Sequence, residues 1–252
     1  MQSIVLLFSL ALLGVMNYAT LWDFPKLPPP SQYGNILINR ISGKNGQLPV
    51  TFSHWIHRIK YTCRVCHSEL DFAMEVNKTE ITMKKNREGE YCGACHNGKT
   101  AFGFTKENCP KCHNGDIAYG SEKFEEFRRH MPKSRYGNKI NWSKAIGKKR
   151  IKPKSSIRDD DYSPIPFKKM LVLKSEWSLT ADAFAVFSHK RHIRWLDCAD
   201  CHPDIFNIKK KGTKFFRMKY ILDRKFCGVC HMNVAFPVQD CIRCHPALGR
   251  NE

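Results

Sequence analysis

Twelve cysteines in a chain of 252 residues fall into six pairs, each pair separated by two residues and followed at once by a histidine. The motifs are Cys63/Cys66 with His67, Cys92/Cys95 with His96, and Cys109/Cys112 with His113. Then come Cys198/Cys201 with His202, Cys227/Cys230 with His231, and Cys241/Cys244 with His245. No cysteine is left over. C-x-x-C alone also serves zinc sites and thiol redox pairs, so the histidine decides. With 11 histidines in 252 residues, six chance matches have a probability of roughly 10⁻⁸. Zinc sites would leave all six histidines unexplained, and so would a disulfide framework. C-x-x-C-H is the attachment signature of c-type heme. Both thiols lie on one turn to bond the two vinyl groups, and the histidine binds the iron from the proximal side. The motifs imply six covalently attached heme c groups.

The chain is also a duplication. Phe52-Ser53-His54 with His57 precedes the first motif, and Phe187-Ser188-His189 with His192 precedes the fourth. The offset of 135 carries Cys63 to Cys198, Cys92 to Cys227 and Gly93 to Gly228. Ala101-Phe102 recurs as Ala235-Phe236, and Cys109 maps to Cys241 at an offset of 132. Two copies of one structural unit follow. Each unit is about 80 residues, small for a self-sufficient apolar core. The cofactor faces must supply much of the interior, and the apoprotein should fold poorly.

The expected organisation is a signal peptide or N-terminal membrane anchor over 1–22 and a Pro-rich linker over 23–34. A three-motif domain over 35–119, a basic linker over 120–169 and a second three-motif domain over 170–252 follow. Residues 1–22 are uncharged, with an apolar stretch from Ile4 to Met16. That length suits a cleaved signal, and residues 4–22 could also span a bilayer uncleaved. Either places the rest outside the cytoplasm, periplasmic or extracellular. The 120–169 segment holds 15 Lys/Arg against 6 Asp/Glu, a net +9. It reads as a solvated linker or as a docking surface for an acidic redox partner. A short helix is expected from Glu122 to Arg129. Ile36-Leu37-Ile38 and Val50-Thr51-Phe52 should pair as short strands. The predicted fold is mostly irregular and α, with one short β-hairpin per unit, built around covalent hemes.

Each iron needs a distal ligand or stays open. Beyond the six motif histidines the chain has His54, His57, His130, His189 and His192. Four belong to the repeat, so each unit has two spare histidines for three irons. Met83 lies 16 residues after His67, and Met218 lies 16 after His202. Methionine is a competent axial ligand, and it also packs readily against flat aromatic groups. Both readings stand on the residues alone. His130 has no repeat partner and reads as a surface histidine, with heme ligation in this chain or a neighbouring molecule as the alternative.

The F-S-H-x-x-H element, the three following C-x-x-C-H motifs and the intervening methionine resemble the triheme domain of class III, cytochrome c-three related multiheme cytochromes. The resemblance covers roughly 45–119 and 180–249. It implies that His54 ligates with His67 and His57 with His96, and in the second copy His189 with His202 and His192 with His231. Single-domain members place a histidine just before the second motif for the third heme. Here Glu88 and Asp223 occupy that neighbourhood, as in tandem-domain members that use methionine. The resemblance therefore implies Met83 with His113 and Met218 with His245. It also implies electron transfer outside the cytoplasm.

The expected function is a hexaheme electron carrier and not an enzyme, since all six irons can be filled from the chain. The alternative is a multiheme reductase with an open iron. The formal charge of +19 falls to roughly +7 once six hemes bring about −12 in propionates. That leaves redox proteins, acidic ones, as partners. Nucleic acid is not expected, and a membrane is expected only through the N-terminal segment.

Overall fold

The structure is a computed structural model that describes residues 24–174, 184–207 and 217–249. The signal or anchor reading of 1–22 lies outside the described residues. Among the described residues no helix is long and apolar enough to cross a membrane.

Each unit opens with a two-stranded antiparallel hairpin. β1 (Asn35–Ile38) pairs with β2 (Val50–Ser53), with Ile36 opposite Phe52. β3 (Met170–Leu173) pairs with β4 (Ala185–Ser188), with Leu171 opposite Phe187. The expected strands thus form and pair. Each second strand runs straight into one helical turn. β2 enters α1 (His54–Arg58), and β4 enters α6 (His189–His192). Ser53 and Ser188 remain extended, with φ of −107° and −111°. The chain therefore bends there and sets both histidines of H-x-x-H on one turn. The preceding phenylalanine holds them. Phe52 stacks on His57 at 4.4 Å and meets His54 edge-on at 4.8 Å. Phe187 does the same to His192 at 4.3 Å and His189 at 4.9 Å. The F-S-H-x-x-H pattern is one packed cluster.

The remaining elements of unit 1 are short. They are α2 (Met83–Arg87), α3 (Cys109–Cys112) and single turns at Gly43–Asn45, Val65–Glu69, Tyr91–Ala94 and Lys106–Asn108. Unit 2 has α7 (Met218–Leu222), α8 (Gly228–His231) and α9 (Cys241–Cys244). The architecture is the mostly irregular and α chain with one hairpin per unit that the sequence implies.

The intervening segment differs from a solvated tether. It forms α4 (Ser121–Arg129) and α5 (Trp142–Gly147), the first beginning one residue before the expected helix. Phe124 and Ala145 are fully buried, with Ile140 and Ile151 nearly so. Phe124 meets Trp55 at 5.3 Å and Phe127 stacks on it at 5.8 Å. Trp55, Phe124 and Ile140 make the main apolar cluster among the described residues. The segment buries its few apolar side chains against α1 and keeps its many cations outside, so its charge count conceals its packing. Asn138 ties it to the N-terminal stretch, donating through Nδ2 to the carbonyls of Pro30 at 2.9 Å and Tyr33 at 2.6 Å. Residues 24–34 are likewise packed in part, with Ser31 and Tyr33 buried.

Candidate heme sites

Side-chain hydrogen bonds orient the histidines. Nδ1 of His54, His57 and His67 faces the carbonyls of Gly34, Ser53 and Phe72 at 2.6, 3.0 and 2.7 Å. His96 and His113 face Phe102 and Leu48, both at 3.0 Å. In unit 2, His189, His192, His202 and His231 face Lys169, Ser188, Phe206 and Phe236 at 3.1, 2.8, 2.7 and 2.7 Å. A carbonyl oxygen can only accept, so Nδ1 carries the proton in all nine. Nε2 is then an unprotonated donor, the arrangement that readies imidazole for a metal. Burial pulls His54 down to about 3 and His231 down to about 4, which keeps both rings neutral. His130 caps the end of α4 and shows no such side-chain bond among the described residues.

The repeat brings partner histidines together. His57 and His96 have ring centres 6.3 Å apart, and His192 and His231 have theirs 6.2 Å apart. A metal–nitrogen bond of about 2 Å plus about 1.1 Å to the ring centre, doubled, gives about 6.2 Å for two imidazoles on opposite sides of one metal. His54 lies within electrostatic reach of His67.

All twelve cysteines are unbridged. Burial pushes the thiols of Cys66, Cys92, Cys227 and Cys230 up to about 12 and Cys201 up to about 11. Such thiols resist ionisation, unlike the activated cysteines of thiol redox pairs. Among the described residues no three His, Cys, Asp or Glu side chains converge as a metal-binding group. The donor set suits heme instead: paired thiols on one turn, a proton-fixed imidazole beside them, and a second imidazole facing it.

Met83 and Met218 each open a helix, α2 and α7. Both helices press on the second motif of their unit. A Cβ placed on Gly93 would lie 1.8 Å from the Asn86 carbonyl oxygen, and one on Gly228 would lie 1.9 Å from that of Ile221. Only glycine allows this approach, which explains the recurrence of glycine inside the second C-x-x-C. The Ala-Phe recurrence is explained as well. Phe102 packs on His96 at 4.4 Å and Phe236 on His231 at 4.3 Å, while their carbonyls take the Nδ1 protons. The repeat exposed these phenylalanines without revealing their role. The carbonyls of Gly34 and Leu48 carry no sequence signal, because any residue supplies one.

The two units meet at a polar seam. The Arg64 guanidinium binds Glu69 at 2.6 Å and Asp197 at 3.0 Å, and lies 3.7 Å over the Tyr162 ring. The Arg64 N–H donates to the Trp195 carbonyl at 2.8 Å. Ser68 donates to Asp200 at 2.8 Å, and Tyr33 donates to the Ala235 carbonyl at 2.6 Å. Burial alone would raise Asp197, but hydrogen bonds from Arg64 and the backbone, with the Arg64 charge, hold its carboxyl below the usual range.

A family model described as cytochrome c7 and related cytochrome c matches residues 50–114 and 185–246. The chain belongs to this family. It is a tandem triheme, multiheme c-type cytochrome, and hemes are its covalent cofactors. Among solved structures it is similar to the C-terminal hexaheme fragment of GSU1996, with 26% identity over 87% of this chain and 99% of that one, at a TM-score of 0.28. It is similar to a c7-type three-heme cytochrome domain with 36% identity over 34% of this chain and 94% of that one, at a TM-score of 0.28. The dodecaheme cytochrome c GSU1996 is 23% identical over 84% of this chain and 73% of that one, again at 0.28. A comparison with curated proteins finds no match. The two c7 matches bracket the two H-x-x-H turns and all six attachment motifs.

Proposed function

We propose that this c7-family chain is a hexaheme electron carrier that works outside the cytoplasm. The observation that carries the reading is the set of nine imidazoles with Nδ1 bound to a carbonyl and Nε2 left as a donor. Covalent heme supplies a one-electron ferric/ferrous couple. Cys63/Cys66, Cys92/Cys95, Cys109/Cys112, Cys198/Cys201, Cys227/Cys230 and Cys241/Cys244 hold the six groups. His67, His96, His113, His202, His231 and His245 are the proximal ligands. His54, His57, His189 and His192 are the distal ligands of the first two sites in each unit, supported by the ring spacing of 6.3 and 6.2 Å at His57 and His192. Met83 and Met218 complete the third site of each unit, supported by their matching place at the start of α2 and α7.

A site filled by two chain ligands cannot bind a substrate at the iron, so the chain passes electrons and is not a reductase. Methionine favours ferrous iron more than imidazole does, so the third site of each unit has the higher potential. The apolar stretch Ile4–Met16 supports export. The partner is an acidic redox protein, supported by exposed Lys144, Lys148, Lys149 and Arg150 around the end of α5.

The test is the intact mass of the matured protein. The polypeptide mass should be exceeded by six heme units, with no thiol open to iodoacetamide after unfolding. Four hemes or fewer would sink the reading. Ready binding of carbon monoxide to the wild-type ferrous protein would show an open iron and favour a reductase.

A further inference from the structure

The junction between the units holds a cation that has no counter-ion among the described residues. Arg58 ends α1. Its Nη2 donates to the Val234 carbonyl at 3.1 Å, and its guanidinium lies 5.1 Å from the Trp142 ring centre and 5.8 Å from that of Trp195. Unit 1, the intervening segment and unit 2 thus all meet on this side chain. Among the described residues, Arg58 makes no ion pair with a carboxylate. The Val234 that it binds donates its own N–H to the Cys230 carbonyl of the fifth motif at 2.9 Å, and the Arg58 charge reaches both Cys230 and Cys63 of the first motif.

One carboxylate acts on the same sulfurs. Asp200 is 8% exposed. It accepts from Ser68 Oγ at 2.8 Å and from the Asp197 N–H at 2.6 Å, neither of which neutralises its charge. Asp200 lies inside the fourth motif, between Cys198 and Cys201, and the Ser68 that binds it directly follows His67 of the first motif; its charge also reaches Cys63, Cys201 and Cys230. Buried charges are screened far less by salt than exposed ones.

We propose that Arg58 and Asp200 are opposed fixed charges that set the reduction potentials of the hemes attached where the two units meet. The proposal rests on the attachment sites assigned above. An oxidised heme centre carries one more positive charge than a reduced one. Arg58 disfavours that extra charge and raises the potential at the first and fifth motifs. Asp200 favours it and lowers the potential at the first, fourth and fifth. A purely structural role, with Arg58 only wedging two tryptophans apart, predicts no such opposition of sign.

The experiment is a potentiometric titration of purified holoprotein followed by optical spectra, for wild type, Arg58→Met, Arg58→Lys and Asp200→Asn. Heme count by mass and thermal unfolding are measured on each. Arg58→Met should shift two of six components to lower potential, and Arg58→Lys should stay near wild type. Asp200→Asn should shift three components to higher potential. Unshifted potentials, or shifts of the same sign in Arg58→Met and Asp200→Asn, would overturn the proposal. Should Arg58→Met fail to fold, the upward shift in Asp200→Asn still has to appear, and its absence refutes the pair. A wrong assignment of the attachment sites would show instead as a heme count below six in wild type.

Discussion

Gly93→Ala tests how the methionine helix is tied to the second attachment motif. The added Cβ would sit 1.8 Å from the Asn86 carbonyl oxygen, 2.6 Å from its carbon and 2.9 Å from its Cα, where real Cβ contacts essentially never fall below 3.0 Å. The difference, 3.0 − 1.8, requires a shift of at least 1.2 Å. The obstacle is backbone, so no side-chain rotation relieves it. Either α2 slides away or the Tyr91–Ala94 turn does. Overpacking of this kind costs about 1–3 kcal/mol, and the backbone clash places it at the upper end, about 3 kcal/mol. In the first case Met83 leaves its place, and on the proposed ligation the third site should open to carbon monoxide and lose its methionine–iron charge-transfer band. In the second, His96 is displaced and the spectrum of the second site changes. Thermal unfolding and carbon monoxide titration of holoprotein read both. Gly228→Ala should repeat the result in unit 2, where the clash with Ile221 is 1.9 Å. Gly147→Ala, with nothing within 4 Å, is the control. If Gly93→Ala melts like wild type and keeps its spectrum, the close approach of α2 is wrong.

Other outcomes follow from the same contacts. Trp55→Ala should cost about 3–5 kcal/mol in holoprotein stability by denaturant titration, because it empties the centre of the cluster with Phe124 and Ile140. Arg64→Met should cost about 3 kcal/mol, since it removes the cation from Glu69 and Asp197, whose side chains are 8% and 30% exposed and which keep only hydrogen bonds such as those from Ser156, Ile157 and Tyr162. The carboxyl of Asp197 is depressed on folding, so its contribution is fully present above its unfolded value of 3.8 and is lost as pH falls below it. Unfolding measured between pH 6 and pH 3 should therefore show a loss in wild type that is smaller in Asp197→Asn. Reversing Lys148, Lys149 and Arg150 to Glu should slow electron transfer to an acidic partner at low salt and flatten its dependence on ionic strength. An unchanged rate would leave the run without a docking role.

How far the sequence reaches depends on what kind of residue carries the information. The first hairpin was legible because Ile36-Leu37-Ile38 and Val50-Thr51-Phe52 are rich in β-branched and aromatic residues, and the second because Phe52-Ser53-His54 recurs as Phe187-Ser188-His189. The attachment motifs and H-x-x-H turns were legible because their chemistry needs particular side chains at particular spacings. The intervening segment was not, since 15 cations over 120–169 outweigh Phe124, Phe127, Ile140 and Trp142 in any count. Packing depends on where the apolar residues point, and α4 turns Phe124 and Phe127 onto Trp55. Backbone carbonyls such as Gly34 and Leu48, which fix His54 and His113, leave no trace in residue type. The seam was equally hidden. The repeat offset of 135 pairs Arg64 with Ala199 and Asp197 with Thr62, so duplication predicts nothing about how the copies meet.

The way the copies meet bears on how electrons cross between them. Cys92 senses Cys112, and Cys66 senses Cys95 and Cys92, so the third, second and first sites of unit 1 adjoin in that order. Cys230 senses Cys63 and Cys201, and Cys227 senses Cys244 and Cys201. The first site of unit 1 thus adjoins the fifth of the chain, which neighbours both the fourth and the sixth. A high-potential methionine site would be an electron sink, and placed between the units it would obstruct the crossing. Cys63 and Cys230 belong instead to sites whose ligands are read as histidine pairs. The third and sixth sites branch away from the junction, toward α3 and α9. Arg58 and Asp200 stand at that junction, where a fixed charge changes two or three potentials at once. On the proposed ligation, the balance of electrons between the halves would be set at Cys63 and Cys230, and each methionine site would act within its own unit.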